Sequence, residues 1–391
     1  MSTPNPEPRR SYWELCHEEP FRIFFPLGIL VGVSGVSLWP LFFSGLHRFY
    51  PGVMHARLMI EGFAGAFVIG FLGTAGPRLT DTGSLSRFEL RILLVLYAAC
   101  VGIHVGERPW LGDAFFVALL LFIAVSMGQR FARSASLPPP SFVLVAFGLV
   151  SALAGAVLLS VGAFYADFPQ VAATGALLLH QGFVLDLVLG VGGFLLRRFL
   201  QLTPASAAPQ AAGWGIQAVF AAATGLMILA SFGIEIFAES PRVAGVIRFV
   251  AATAFLASEI MAPSLGGAAT ISRSLRLGIL LLLLGLFFPV LWPLQRVAGL
   301  HLVFIGGYTL VVFAVATRVV LGHSGAGHLF TEPLPLLRTA AILLVLATVL
   351  RVAGDFLPLT RGRWLSVASY LWMAAAALWS WRILPRVRVV G

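Results

Sequence analysis

Lysine is missing from this chain altogether, and charged residues of any kind are scarce. Asp, Glu, Lys and Arg make up 11% of the 391 residues, whereas 59% are hydrophobic and the mean hydropathy is +0.94. A water-soluble domain with so few polar groups to cover its surface would precipitate. The composition therefore excludes a soluble globular protein and predicts an all-α polytopic membrane protein.

Cysteine is nearly as rare, with Cys16 and Cys100 as its two occurrences. Cys16 falls in a polar tail and Cys100 inside an apolar helix, so we expect no disulfide between them. Two cysteines are also too few for a cysteine-only metal centre. A signal-peptide pattern is absent, because the first apolar run has no small-residue cleavage site and further spans follow it. We expect residues 1–21 to be a short polar tail.

Long apolar runs are what the chain does contain. A window of about 19 residues finds segments that are long enough, at about 1.5 Å per residue, to cross a hydrocarbon core of about 30 Å. We predict a single domain of twelve spans at residues 22–384, followed by a C-terminal tail at residues 385–391. The predicted limits of spans 1 to 12 are 22–43, 53–77, 88–105, 111–130, 141–165, 171–196, 211–235, 242–260, 276–294, 297–321, 335–353 and 364–383.

Arginine alone indicates the orientation, since there is no lysine. Most arginines near span ends lie on the side that holds both termini. Cytoplasmic loops keep an excess of basic residues, so we expect both tails in the cytoplasm, which fits an even number of spans. The net charge of +10 is then explained by topology and by anionic lipid headgroups, and no soluble basic surface is left for a nucleic acid.

An internal repeat of about 120 residues relates spans 2, 6 and 10. This period predicts three repeats of four helices in a pseudo-three-fold arrangement, with these spans facing a common interior. A repeat of six plus six spans, the usual transporter plan, is not seen. The aligned positions are Gly62 with Gly182, Gly70 with Gly190, Gly73 with Gly193, Arg78 with Arg198 and Arg318, and Glu61 with Gln181 and His301.

Three histidines are predicted inside the outer half of the membrane, where each polar group costs about 2.5 to 3.5 kcal/mol or more. His55, His180 and His301 belong to spans 2, 6 and 10. Imidazole is the usual ligand of haem iron and also suits copper, and the thioether of Met59, on the same helix face as His55, adds affinity for Cu(I). A single intramembrane histidine is more often a hydrogen-bonding partner between helices. For the set, both interpretations stay open.

Other polar residues in the spans have simpler interpretations. Arg57 and Glu61 are four residues apart, so we expect an ion pair between them. Asp186 is expected either to accept a hydrogen bond from a histidine or serve a proton path, or to make a helix-packing hydrogen bond with Arg248 or a hydroxyl. Four histidines are predicted in tails or loops and are expected to be solvated: His17, His47, His104 and His328.

Three segments resemble the NnrS family, and the twelve-helix layout matches it along essentially the whole chain. They are "EEPFRIFFPLG" before span 1, "MHARLMIEGFAGAFVIGFLGTAGPRLT" in span 2 and "LHLVFIGGYTLVVFAVATRVVLGHSG" in span 10. The resemblance implies a bacterial inner-membrane protein that carries haem and copper and acts in nitric oxide metabolism or in protection against nitrosative stress.

The resemblance also implies ligands. His55 and Met59 match the first His and the Met of a family motif that reads His, any residue, His, Glu, Met, whereas Arg57 and Leu58 replace its second His and its Glu. The predicted haem ligands are His55, His180 and His301. The predicted metal ligands are His55, Met59, His180, His301 and His323. The alternative interpretation of His323 is a hydrogen-bonding partner for the C-terminal cap of span 10.

A looser resemblance links the chain to the catalytic subunit of haem-copper oxidases, which also has twelve helices in three groups of four. Span 7 has no histidine, so a full copper site of that kind cannot form and dioxygen reduction is not expected. Two other functions stay open, a secondary transporter with no metal and a factor that passes haem or copper to a respiratory enzyme. The expected partners are a diatomic ligand such as nitric oxide and the lipid bilayer, with a redox partner left open.

Overall fold

The computed structural model of the chain describes residues 11–134, 137–165, 167–199, 213–259 and 269–389. Every regular element in these ranges is helical, which confirms the predicted all-α class. Parts of both predicted tails, residues 1–10 and 390–391, lie outside the described residues. The side chains of Arg197 and of Arg198, one of the repeated arginines, also lie outside.

Eleven described helices are long and apolar enough to cross a membrane, so the protein is a multi-pass membrane protein. Span 9 differs most from its predicted limits. It begins at Thr270, because the helix continues through the charged residues Arg273 and Arg276, where the apolar window stops. Spans 1 to 11 are Phe21–Phe43, Gly52–Leu79, Arg87–Val105, Pro109–Arg133, Phe142–Gly162, Pro169–Leu196, Trp214–Phe237, Pro241–Glu259, Thr270–Leu291, Pro293–His323 and Pro335–Phe356.

The twelfth predicted span is present as the helix Arg361–Ile383, although its tryptophan-rich sequence keeps it out of the eleven. Its 23 residues reach about 34 Å, enough to cross a bilayer core. It packs between spans 1 and 11. Two buried indoles tie it to span 10: Trp379 Nε1 donates to Thr317 Oγ1 at 2.9 Å and Trp372 Nε1 donates to Thr309 Oγ1 at 3.4 Å.

Spans 2, 6 and 10 share an uncommon local structure. Each contains a π-helical segment, at Leu58–Ala64, Leu178–Gly182 and Leu302–Thr309. The first two segments begin 120 residues apart, as the repeat predicts, and the third begins 124 residues after the second. All three spans contribute to the same two cavities, so they do face a common interior. π-Helical turns are rare and occur often at functional sites.

Glycines in span 1 allow span 2 to approach closely. A Cβ added to Gly32 would lie 2.8 Å from the Phe63 ring, and one added to Gly35 would lie 3.0 Å from Leu58 Cβ. Small residues at such contacts are typical of membrane helix packing. The close approach brings the Gly35 carbonyl within reach of His55.

Both ends of the described chain meet at one end of the bundle. A short helix, Tyr12–Glu18, starts at a capping box made by Ser11 and Glu14 and precedes span 1. Arg22, at the start of span 1, donates to the carbonyls of Val387 and Val389 at 2.5 and 2.8 Å. The two termini therefore share one side of the membrane, and their cytoplasmic location stays a prediction.

Candidate functional site

A cavity of about 270 Å³ lies between spans 1, 2, 6, 10, 11 and 12, at the end of the bundle opposite the termini. Four of the five predicted ligands line it: His55, Met59, His180 and His301. The aromatic rings of Trp39, Phe63, Phe304 and Trp372 form much of its wall. Folding thus brings together polar side chains of three spans that are far apart in sequence.

His55 and His301 are held in the same way. Nδ1 of His55 lies 2.9 Å from the Gly35 carbonyl oxygen, and Nδ1 of His301 lies 2.8 Å from that of Val297. A carbonyl only accepts, so Nδ1 carries the proton in each ring and Nε2 keeps its lone pair. No described residue donates a hydrogen bond to either Nε2 atom. This is the arrangement in which a neutral imidazole binds a metal.

His180 is held differently, although it lines the same cavity. Its Nε2 lies 3.2 Å from Nη1 of Arg57. A guanidinium only donates, so this nitrogen spends its lone pair on Arg57 and Nδ1 carries the proton. His180 is therefore a poor metal ligand while Arg57 keeps its position. Its Nδ1–H is instead a hydrogen-bond donor on the cavity wall.

His323, the fifth predicted ligand, lies at the other end of span 10 and takes no part in the cavity. Its Nδ1 is 2.7 Å from Glu19 Oε1 and its Nε2 is 2.8 Å from Arg78 Nη1, so both nitrogens have partners. Burial raises the pKa of Glu19, but His323 and Arg22 lower it more, and the pKa falls from 4.5 to about 2. We assign His323 to the contact between the terminal segments and the bundle.

A buried polar network adjoins the cavity on the side of spans 2, 3 and 4. Arg57 binds Asp113 of span 4 through two hydrogen bonds, at 2.5 and 3.1 Å. The predicted pair with Glu61 is present, at 3.3 Å, but it is the weaker contact. Glu61 is instead 2.9 Å from Nε2 of His104 and 3.5 Å from Sγ of Cys100. The expectation of a simple Arg57–Glu61 pair is therefore incomplete.

The prediction that His104 is solvated in a loop is wrong. It occupies the last turn of span 3 and is 3% exposed. Its ring fits because span 4 has a glycine there: a Cβ on Gly112 would lie 2.3 Å from its Cε1. Span 3 ends at Val105, within the predicted limits of 88–105, so His104 belongs to its last turn and points into the protein.

Two arginines meet over one aspartate beside the cavity. Arg351 Nη1 and Arg361 Nη2 lie 2.9 and 3.2 Å from Oδ1 of Asp355, and both arginines line the cavity. Two guanidiniums facing one carboxylate leave an excess of positive charge, which favours an anionic group at this wall.

The expected contact between Asp186 and Arg248 is not formed. Arg248 pairs instead with Glu235, at the end of span 7. Asp186 is fully buried, and neither of its carboxylate oxygens has a hydrogen-bond partner among the described residues. Asp186 does not line the histidine cavity.

Sequence reasoning missed several site residues. Asp113 and Arg351 are single charges within apolar runs, which is itself the signal of a compensated intramembrane group. Cys100 and His104 are four residues apart and therefore share one face of span 3. Their partner Glu61 could not be identified, because the crossing of spans 2 and 3 is a tertiary property.

Comparison with known proteins identifies the family of the chain. The family model described as NnrS protein matches residues 16–388, which include all twelve helices. No curated protein matches the chain. The match covers nearly the whole chain, and the chain therefore belongs to the NnrS family.

Proposed function

We propose that this protein binds haem in the histidine cavity, that His55 and His301 are the residues that would hold it, and that the haem would take a diatomic ligand such as nitric oxide. The observation that carries the proposal is that the two imidazoles have the same hydrogen-bonding arrangement. Both line one cavity, both donate Nδ1–H to a backbone carbonyl, and both keep Nε2 free.

The rest of the cavity suits the same group. Haem is a flat aromatic ring with two carboxylates at one edge, and the wall supplies aromatic rings together with Arg351 and Arg361. These arginines share Asp355 and retain one unit of positive charge for an anionic partner. Their position supports a role in binding the haem carboxylates.

A second, apolar cavity favours a small uncharged ligand. It has a volume of about 100 Å³ and shares Ala64, Val184 and Val312 with the histidine cavity. All of its lining residues are apolar apart from their backbone. Apolar cavities stay dry and hold small apolar molecules. Nitric oxide is such a molecule, so the cavity supports a store or path for it.

Each side chain then has a defined task. Haem would supply an iron that can bind a diatomic gas and exchange electrons. His55 and His301 would hold it through their free Nε2 atoms. His180, held by Arg57, offers Nδ1–H as a hydrogen-bond donor on the wall. Aromatic and aliphatic side chains form most of the lining of this space.

Copper is a second candidate, and one observation favours it. Met59 lines the cavity together with His55, so a thioether and an imidazole could hold Cu(I) there. His55 cannot serve both metals, so its removal separates the two assignments. If copper is bound there, His55→Ala loses copper and leaves the haem spectrum unchanged.

The test is an absorption spectrum of the detergent-purified protein, oxidised and reduced, with iron and copper analysis of the same sample. We expect a Soret band, one iron per chain and a further shift when nitric oxide is added to the reduced protein. Absence of iron and of visible absorption, in protein from cells grown with ample iron, would favour a metal-free transporter. The family resemblance adds a bacterial inner membrane as the proposed location.

A further inference from the structure

A second site lies outside the histidine cavity, in the network of spans 2, 3 and 4. Glu61 Oε2 is 2.9 Å from Nε2 of His104 and 3.5 Å from Sγ of Cys100. One ligand atom from each of the three residues lies within 4.8 Å of the others. Zinc holds such ligands at about 2.0 to 2.3 Å, so the ligand atoms of one zinc site lie roughly 3 to 4 Å apart.

Charge in this network is unbalanced. Arg57 faces two carboxylates, those of Glu61 and Asp113, and all three side chains are buried. An uncompensated charge inside a membrane costs about 2.5 to 3.5 kcal/mol or more. The network therefore requires one more positive charge, either a proton or a metal ion.

The network of spans 2, 3 and 4 also contains buried polar atoms whose hydrogen-bonding capacity is not filled. Among the described residues, His104 Nδ1 is buried and has no hydrogen-bond partner, and Glu61 Oε1 makes no hydrogen bond beside its 3.3 Å ion contact with Arg57 Nε. Buried polar atoms without partners are rare in native structures and indicate a bound ligand or a special role. Both atoms belong to residues of the triad.

We propose that Glu61, Cys100 and His104 form a binding site for a divalent metal ion of the zinc class, separate from the histidine cavity. Thiolate, imidazole and carboxylate are the ligand types that zinc prefers. Binding releases the proton of the Cys100 thiol to solvent. The two negative charges of Glu61 and Cys100 then balance the ion, and Arg57 balances Asp113.

The structure also provides a matched pair of cysteines for the test. Cys16 and Cys100 are the only cysteines, both are free and buried, and Cys16 lies in the N-terminal helix at the other end of the bundle. In the Cys16→Ser variant any thiolate ligand must be Cys100. In the Cys100→Ser variant it must be Cys16.

The experiment uses full-length protein in detergent, stripped with a chelator and then titrated with Co²⁺ as a coloured substitute for Zn²⁺. We expect a thiolate-to-cobalt charge-transfer band that saturates at one equivalent in the wild type and in Cys16→Ser. Cys100→Ser should lose the band and bind zinc at least about tenfold more weakly, since even outer partners of a metal site contribute that much. His104→Gln should behave like Cys100→Ser.

Absence of the band from the wild type and from Cys16→Ser overturns the proposal and identifies a protonated hydrogen-bond network instead. This result does not depend on how Cys100→Ser folds. Persistence of the band in well-folded Cys100→Ser also overturns it. The haem absorption is recorded in the same samples, so failure at one site is distinguishable from failure at the other.

Discussion

Span 10 carries two histidines that show what separates a candidate ligand from a structural side chain. His323 has a partner at each nitrogen, Glu19 at one and Arg78 at the other. His301, at the opposite end of the helix, has a partner at Nδ1 and a free Nε2 facing a cavity. The residue type and the helix are the same. The difference lies in what the neighbouring spans offer to the second nitrogen.

The clusters of charged side chains at the two ends of the bundle also differ. At the end that holds the termini, Glu19 is surrounded by Arg22, Arg78 and His323, so positive groups outnumber the carboxylate. In the network of spans 2, 3 and 4, two carboxylates face the single guanidinium of Arg57. Both oxygens of Glu19 therefore contact positive groups, whereas the network of spans 2, 3 and 4 has more carboxylates than guanidiniums.

Haem loss is the largest effect we expect. The double variant His55→Ala/His301→Ala should lose at least about a hundredfold in haem affinity, because both axial ligands are removed, which corresponds to about 2.7 kcal/mol or more. Haem per chain, from the Soret absorbance and iron analysis of purified protein, measures it. His323→Ala and His180→Ala should keep stoichiometric haem. Equal loss in His323→Ala would remove the distinction between the two ends of span 10.

Removing one charge from the buried network should destabilise the fold. Asp113→Asn removes the carboxylate that binds Arg57 through two hydrogen bonds and leaves Arg57 with its longer contact to Glu61, and the loss of a hydrogen bond to a charged group costs about 1.5 to 3 kcal/mol. The midpoint of thermal unfolding in detergent provides the measurement. Asp81→Asn, at an exposed position in the loop after span 2, is the control and should leave the midpoint unchanged. An equal midpoint for both variants would show that Asp113 is not needed to compensate Arg57.

The arginines that line the cavity, Arg351 and Arg361, should contribute less to haem binding than His55 and His301. Arg361→Gln is expected to weaken haem retention by about tenfold, close to 1.4 kcal/mol, because one of two charged partners of the haem carboxylates is removed. Haem transfer to an excess of a soluble haem-binding protein, followed by absorbance, gives the dissociation rate. Arg363→Gln changes an exposed arginine two residues away and should leave that rate as it is. Equal rates in the two variants would exclude Arg361 from the haem site.

The smallest effect concerns Glu19, and it depends on pH. Its pKa is lowered from 4.5 to about 2, so its contacts stabilise the folded protein fully above about pH 4.5, and this contribution is lost as the pH falls toward 2. Glu19→Gln should therefore lower the unfolding midpoint at pH 6 and flatten its decrease below pH 4.5. Glu332→Gln, in an exposed loop, should follow the wild-type curve. A wild-type slope in Glu19→Gln would contradict the assignment.

Much of the fold could be predicted from the sequence, because hydropathy and helix length are local properties. The spans and the common interior of spans 2, 6 and 10 follow from apolar runs and a 120-residue period, and the single domain stays a prediction. Span 12 was predicted as well, at 364–383, although its tryptophans make it less apolar by composition; its Trp372 and Trp379 are buried against span 10.

The site was predictable only in part. His55, Met59, His180 and His301 were placed together correctly because the repeat indicates which spans are neighbours. Which nitrogen of each imidazole carries the proton was not predictable. It depends on the carbonyl or guanidinium that each ring contacts in the folded protein.

The network around Glu61 also depends on tertiary structure. It forms where His104, in the last turn of span 3, packs against Gly112 of span 4. Local sequence gives the helix but not the crossing, so His104 was assigned to solvent.

Chemical rescue of His301→Gly with imidazole tests the central claim most directly. The variant removes one axial side chain and leaves a space of the same shape beside the haem. We predict a wild-type spectrum with two nitrogen ligands, a changed spectrum in His301→Gly, and recovery of the wild-type spectrum when imidazole is added. An unchanged spectrum in well-folded His301→Gly, with iron still stoichiometric, would contradict coordination by His301.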